Sequence, residues 1–395
     1  MKVTFVSNFM NHHQLPFSQE LAGTPGVDYT FISREGIPAS RLALGYEDLD
    51  HRYPFVLCPY DGPDTARRAE TCLEESDVVI VGSAPTAILA RRLRQGKLTF
   101  QYSERFFKRE DGGLKRYLKD RYRAWKHFVR FQGKPLYFLC SSAYTAADIA
   151  HYADYTGKVF RWGYFPQAVH WPSTEALLAA KEPATLLWAG RLLDWKHPDQ
   201  AVEVARRLRE AGIPFRLDVV GNGPEEDALH RQVTEAGLQD CVRLLGALPA
   251  AEVRARMEKA AIFLFTSDKQ EGWGAVLNEA MNSGCAVAAS HGAGATPYLI
   301  QDGVNGLLYQ SKNTDALYGA VKTLLEDPAM TARMGAAAYH TITDTWNAEL
   351  AARRFVALAK ALLAGDPPPV YPDGPCSPAP CLADDWYPPA TRDEA

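Results

Sequence analysis

Two carboxylates eight positions apart, Glu271 and Glu279, stand in the stretch EGWGAVLNEAMNSGCAV. Gly272 and Gly274 flank a tryptophan just after the first glutamate, and AVLNEAMNSG then reads as a helix closed by Gly284. The first N–H groups of a helix have no acceptor within it, so the backbone at Gly274, Ala275 and Val276 forms an anion site. Eight helical residues rise about 12 Å and turn about 80° beyond two full turns, which leaves both carboxylates on broadly one side. Carboxylates accept hydrogen bonds from paired hydroxyls. A nucleoside diphosphate sugar has that layout, with sugar, pyrophosphate and ribose in a row.

Two further stretches carry matching chemistry. In WAGRLLDWKHPDQAVEVARRL a strand ends in Gly190, and Arg191 and Lys196 follow at its carboxyl end before a helix from about Pro198. An arginine fork and a lysine point charge suit a pyrophosphate; a solvated pair of surface cations is the plainer reading. In LDVVGNGPEEDAL, Gly221 and Gly223 permit a tight turn with close backbone approach to a ligand, and a helix starts at Pro224 with acids in its first turn.

The first half opens on KVTFVS and then NFMNHHQLPFSQEL. Ser7–Glu20 contains no glycine, so the G-x-G-x-x-G of a dinucleotide-binding fold is missing. His12, His13 and Gln14 occupy that loop instead. They read either as a polar loop with one histidine capping the next helix or as a wall offering donors to a sugar hydroxyl or phosphate.

These residues need strand ends to hold them. Strands are expected at 2–7, 28–33, 77–82, 97–102 and 136–140, then again at 185–190, 215–221, 241–246, 261–266 and 285–290, with helices such as 84–94, 199–211 and 225–236 between. Alternating strand and helix implies parallel sheets covered on both faces, and ligands bind beyond the carboxyl ends of such strands. The chain of 395 residues is expected to form two such α/β units facing across a cleft: 1–168 and 184–346, joined by a linker at 169–183. A helix at 347–364 is expected to pack back toward the first unit, and 365–395 reads as a proline-rich tail, partly disordered, with Trp386 and Tyr387 as docking points.

Net charge is −4, which gives no general attraction to nucleic acid. Seven scattered cysteines without metal spacing fit a reducing interior. The amino terminus lacks the pattern of a signal peptide, and no run reaches the roughly 20 apolar residues of a membrane span. A cytoplasmic protein is expected, touching at most the inner face of the membrane. The candidate for that contact is 105–130, with ten Lys and Arg against three acids and an apolar stripe through Leu114, Tyr117, Leu118, Tyr122, Trp125, Phe128 and Val129. Of the other two readings, one makes the stripe core and the charges solvated, and the other sets the aromatics and basic residues against nucleic acid.

The ordered set GRLLDWK, VVGNGPEE, RLLGALP and EGWGAVLNEAMNSGCAV…DGVNGLLY resembles the retaining family 4 glycosyltransferases of the GT-B fold over about residues 185–345. The first half resembles the family in architecture only. The resemblance implies that Glu271 contacts the transferred sugar and Glu279 the ribose, and that Arg191 and Lys196 hold the pyrophosphate. Gly274, Ala275 and Val276 would donate to the phosphates, and Leu245 and Gly246 would lie near the base. It implies retention by front-face attack, no metal and no cofactor beyond the nucleotide sugar, and a glycan, lipid-linked or small-molecule acceptor. An epimerase or hydrolase of the same fold, or a non-catalytic nucleotide-sugar sensor, are the alternatives. The chain departs from the family in its glycine-free first loop. It also has Tyr102, Ser103 and Glu104 where many members carry a histidine facing the donor sugar. Tyr102 and Glu104 therefore join His12, His13 and Gln14 as acceptor-side candidates, with a structural salt bridge from Glu104 as the competing reading.

Overall fold

The computed structural model describes residues 1–42, 47–108 and 113–388. It forms two compact units, Met1–Gln167 with Trp346–Ala383, and Ala168–Thr345 with the described residues from Asp384 on.

The first unit is built on β1 (Lys2–Ser7), β2 (Asp28–Ser33), β3 (Val56–Leu57), β4 (Val78–Val81), β5 (Thr99–Ser103), β6 (Leu136–Cys140) and β7 (Val159–Arg161). They lie in the order β3-β2-β1-β4-β5-β6-β7, every pair parallel. β4, VVIV, is buried at all four positions, as a strand covered on both faces must be. The helix Ala348–Ala364 belongs to this unit. Its N-cap Asn347 accepts from Leu350 N, and Gly365 ends it in the left-handed conformation. Phe355 on that helix is fully buried, with its ring 5.2 Å from Phe100 and 6.0 Å from Phe17.

The second unit uses β8 (Glu182–Ala189), β9 (Arg216–Val220), β10 (Val242–Leu244), β11 (Ala260–Phe265), β12 (Ala286–Ser290) and β13 (Leu307–Tyr309). The order β10-β9-β8-β11-β12-β13, again parallel, is the Rossmann arrangement. It reverses between β8 and β11, so a crevice opens at their carboxyl ends.

The ten strands expected from sequence coincide with ten of these. β3, β7 and β13, of two or three residues, carry too little pattern to be read. The helix after β9 starts at Glu226, not at Pro224.

Two expectations need correcting. The segment 169–183 is not a free linker but part of the second unit. It contains the helix Thr174–Ala179, and fully buried Leu177 packs against Gly284 so closely that a Cβ there would lie 2.7 Å from it. Asn282 bonds both backbone groups of Val169, at 2.8 and 3.1 Å. Nor is the proline-rich tail loose through residue 388. Phe160 in β7 forms an antiparallel bridge with Pro378; Arg161 N donates to Ser377 O at 2.7 Å and Cys376 N to Arg161 O at 2.9 Å. Cys376 is fully buried. The tail thus covers the edge that β7 would otherwise expose. Further on, Tyr387 joins the second unit, donating to Leu308 O at 3.0 Å and stacking on His291.

Candidate active site

The loops after β8 and β11 flank the switch point and are tied together. Trp188 Nε1 donates to Thr266 Oγ1 at 2.8 Å, and the same hydroxyl donates to Lys196 O at 2.5 Å. Asp268 N donates to Trp195 O at 2.9 Å. This brings Lys196 and Glu271, 75 positions apart, into an ion pair in which both side chains are mostly buried. Ser267 Oγ donates to the same carboxylate oxygen at 3.2 Å. Arg191, two residues past the end of β8, is exposed.

Gly274 is the N-cap of the helix Ala275–Asn282, with φ 95°. A Cβ there would lie 2.4 Å from the Phe265 ring, so both conformation and space require glycine. The first-turn N–H groups of Ala275 and Val276 have no acceptor in the helix, and both residues are half-buried. Beneath them Trp273 is fully buried and donates Nε1 to Asn278 Oδ1 at 2.8 Å. The loop after β12 holds this turn from the other side, through Gly294 N to Glu271 O and Ala295 N to Trp273 O, both 3.1 Å. Glu279 lies further along the helix, half-buried. Burial pushes its carboxyl up to about 7 against the opposing pull of Arg254.

The glycines after β9 have a different reason from the one expected. At Gly221 a Cβ would fall 1.8 Å from Gly190 O, and at Gly223 2.3 Å from Leu192 O. Leu192 N donates to Asn222 O at 2.8 Å and Gly221 N to Gly246 O at 2.8 Å. Leu245 N continues the ladder to Val219 O. The close approach is of one loop to another, and it sets Gly190 and Arg191 in place.

Sequence reasoning missed Asp268. It accepts from Gln270 N at 2.9 Å, meets His197 at 3.4 Å and pairs with Lys312 at 3.1 Å. Burial pushes this carboxyl up, but bonds from His197, Gln270 N and Lys312 outweigh it and hold it at about 2. Its signal was its place in a polar loop directly after an apolar strand. It shapes the Lys196 and Glu271 loops rather than facing outward.

In the first unit, the acceptor-side candidates divide. His13 stacks on Tyr164 with ring centroids 5.6 Å apart and contacts His12 at 3.8 Å. Burial lowers both imidazoles, His13 strongly. Tyr164 donates to Glu104 Oε1 at 2.6 Å, Lys108 pairs with Glu104 Oε2 at 2.6 Å, and Tyr102 lies 6.0 Å from Tyr164. His13, Tyr102 and Glu104 thus gather around Tyr164, which sequence reasoning overlooked, and His12 lies against His13. Glu104 is in a salt bridge, with Lys108; Arg105 pairs instead with buried Asp148. Gln14 is buried and bonded to Asn11, and Asn11 Oδ1 accepts from His13 N and Gln14 N. Asn11, not a histidine, organises the start of that helix.

Of the basic segment 105–130, residues 109–112 lie outside the described residues. The rest splits, with Phe106, Ala124 and Phe128 in the core and Leu114, Tyr117, Leu118, Tyr122 and Trp125 outside it. No described helix is long and apolar enough to cross a membrane.

Residues 171–341 match the family model described as glycosyl transferases group 1. The amylovoran biosynthesis glycosyltransferase AmsK of Erwinia amylovora is 29% identical over 210 residues, 52% of this chain and 51% of its own length. The GDP-mannose-dependent alpha-(1-6)-phosphatidylinositol monomannoside mannosyltransferase of Mycolicibacterium smegmatis is 32% identical over 162 residues, 40% of this chain and 42% of its own. The matches therefore span about half, or less, of these relatives. Among solved structures, Anabaena HepE in complex with UDP has a TM-score of 0.67 at 17% identity, covering 92% of this chain and 100% of that one. Sucrose-phosphate synthase of Thermosynechococcus elongatus has a TM-score of 0.64 at 19% identity, covering 93% and 100%. At such identities the likeness is one of fold.

Proposed function

We propose, because residues 171–341 match the model of the glycosyl transferases group 1 and the two Rossmann-like units have the GT-B fold, that the protein transfers a sugar from a nucleoside diphosphate donor to an acceptor with retention of configuration. The observation that carries this is the convergence, at one switch point, of exposed Arg191, the Lys196–Glu271 pair and the open start of the helix at Gly274. A donor set out along this helix has its pyrophosphate at Arg191, Lys196 and the N–H groups of Ala275 and Val276. Its ribose is at Glu279, its base near Leu245 and Gly246, and its sugar at Glu271.

Cleavage of the sugar–phosphate bond builds negative charge on the diphosphate and positive charge on the anomeric carbon. Fixed cations and first-turn N–H groups stabilise the first as it develops, at no reorganisation cost. The Glu271 carboxylate faces the second. Without a donor it rests on Lys196, so an arriving diphosphate competes for that ammonium and frees the carboxylate for the sugar. On this reading the leaving phosphate takes the acceptor proton from the same face and no metal is needed. The names of related proteins support the donor class but not its base: one relative is GDP-mannose-dependent and another, 33% identical over 128 residues, is a UDP-N-acetylglucosamine transferase subunit. The acceptor is a glycan or lipid-linked glycan met by the first unit, where His12, His13, Tyr102 and Glu104 gather, and the setting is cytoplasmic.

Thermal-shift screening against UDP-, GDP-, ADP- and TDP-sugars identifies the donor, since a ligand specific for the folded state raises its stability. Transfer is then assayed with Glu271→Gln and Arg191→Ala. Both should fall by about a hundredfold or more; normal rates in both would end the reading.

A further inference from the structure

The helix Leu114–His127 carries its large apolar residues on the side away from the protein. At 100° per residue, Leu114, Leu118, Tyr122 and Trp125 fall within a sector of about 80°. They are 74%, 57%, 63% and 48% exposed. Tyr117, on the flank of that sector, is 51% exposed. Of the whole helix only Ala124 is buried. A helix that served the core would show the opposite arrangement.

Charge surrounds the stripe. The helix holds six Lys and Arg against one acid, in a chain whose net charge is −4. The acid, Asp120, pairs with Arg116 at 2.7 Å. Lys115, Lys119 and Lys126 line one flank of the stripe, and all three are exposed. On the other flank, Arg121 donates to Tyr117 OH at 2.8 Å. Arg130 lies 5.0 Å over the Trp125 ring, which stacks on Tyr122. Apolar and aromatic residues edged by long basic side chains are what a headgroup boundary accepts: the rings and leucines enter the acyl edge and the ammonium groups stay with the phosphates.

Other occupants fit less well. A second copy docked through this face would set one basic flank against another. Nucleic acid is bound by grooves with stacking rings, whereas Leu114 and Leu118 offer a convex aliphatic ridge.

We propose that the helix Leu114–His127 is an in-plane anchor that lies on an anionic lipid bilayer, with Leu114, Leu118, Tyr122 and Trp125 inserted and Lys115, Lys119 and Lys126 on lipid phosphates. The contact forms whether or not a sugar is transferred, so its test stands apart from that of the catalytic reading.

The full chain is sedimented with vesicles of phosphatidylglycerol and phosphatidylcholine, and with phosphatidylcholine alone. Binding to the anionic vesicles is expected, weakening as salt screens the charges. One basic residue at such a surface is worth roughly fivefold in partitioning, so joint replacement of Lys115, Lys119 and Lys126 by Gln should reduce binding roughly a hundredfold. Leu118→Ser with Trp125→Ser should reduce it as well, with an unchanged thermal midpoint because both side chains are already exposed. The proposal is overturned if the chain ignores anionic vesicles, or if both variants bind them like the parent. It is equally overturned if sedimentation velocity shows a dimer that the Leu118 and Trp125 replacements dissolve, or if RNA displaces the vesicles at equal phosphate.

Discussion

Donor affinity should rise with pH through neutrality, and Glu279 is the reason. Its carboxyl is pushed up to about 7 by burial, with Arg254 pulling the other way. On the proposed reading this group accepts hydrogen bonds from the two ribose hydroxyls, which only the ionised form does fully. With a value of about 7, roughly one molecule in eleven is ionised at pH 6 and about ten in eleven at pH 8. The dissociation constant for the nucleotide sugar should therefore fall about tenfold between those pH values. The pyrophosphate is esterified at both ends and does not titrate in this range, which makes the intact nucleotide sugar the right probe. Isothermal titration calorimetry at pH 6, 7 and 8 measures the slope directly. In Glu279→Gln the slope should vanish and the affinity should stay near its low-pH value. A flat profile in the parent protein, or an equal slope in Glu279→Gln, refutes the assignment. Stability should run the opposite way. The unfolded carboxyl loses its proton near the ordinary value of 4.5 and the folded one near 7. Between these the folded state binds more protons, so stability declines as pH rises through that window. The same Gln variant should therefore unfold at a higher temperature than the parent at pH 8.

Further outcomes follow from the packing. Gly221→Ala would place a Cβ 1.8 Å from Gly190 O at a φ of 140°, so the β8 and β9 loops must part; a stability loss of about 2 kcal/mol or more is expected in thermal unfolding, with weakened donor binding. Lys196→Met leaves the mostly buried Glu271 carboxylate with Ser267 alone, whereas the double variant with Glu271→Gln removes the orphaned charge. Thermal midpoints should show the double variant to be more stable than Lys196→Met by about 1–3 kcal/mol, and a strictly additive cycle would deny the pair. Cys376→Glu sets a carboxylate in the fully buried anchor of the tail, so a protease of broad specificity such as proteinase K should cut beyond Gly365 far faster than in the parent.

The sequence by itself determined the local elements. Strands such as KVTFVS and AIFLFT announce themselves as short apolar runs, and the helix at Ala275 by the glycine before it and Gly284 after it. The order of motifs from GRLLDWK to DGVNGLLY was enough to point to the family, because each lies within one strand–loop–helix step. Only the tertiary structure decided what those steps meet. Lys196 and Glu271 become partners because β8 and β11 are neighbours across the reversal in strand order, a property of topology that no local pattern carries. Gly221 and Gly223 were legible as glycines that something approaches, but that the approaching group is the loop after β8 depends on register between strands. The proline-rich tail has the composition of a disordered segment and is ordered through residue 388 by β7, Arg354 and the second unit. The periodicity of Leu114–His127 shows an apolar face without showing its direction. Periodicity records which residues lie together on a helix; whether core or water lies against them is fixed by how the helix is hung on the fold.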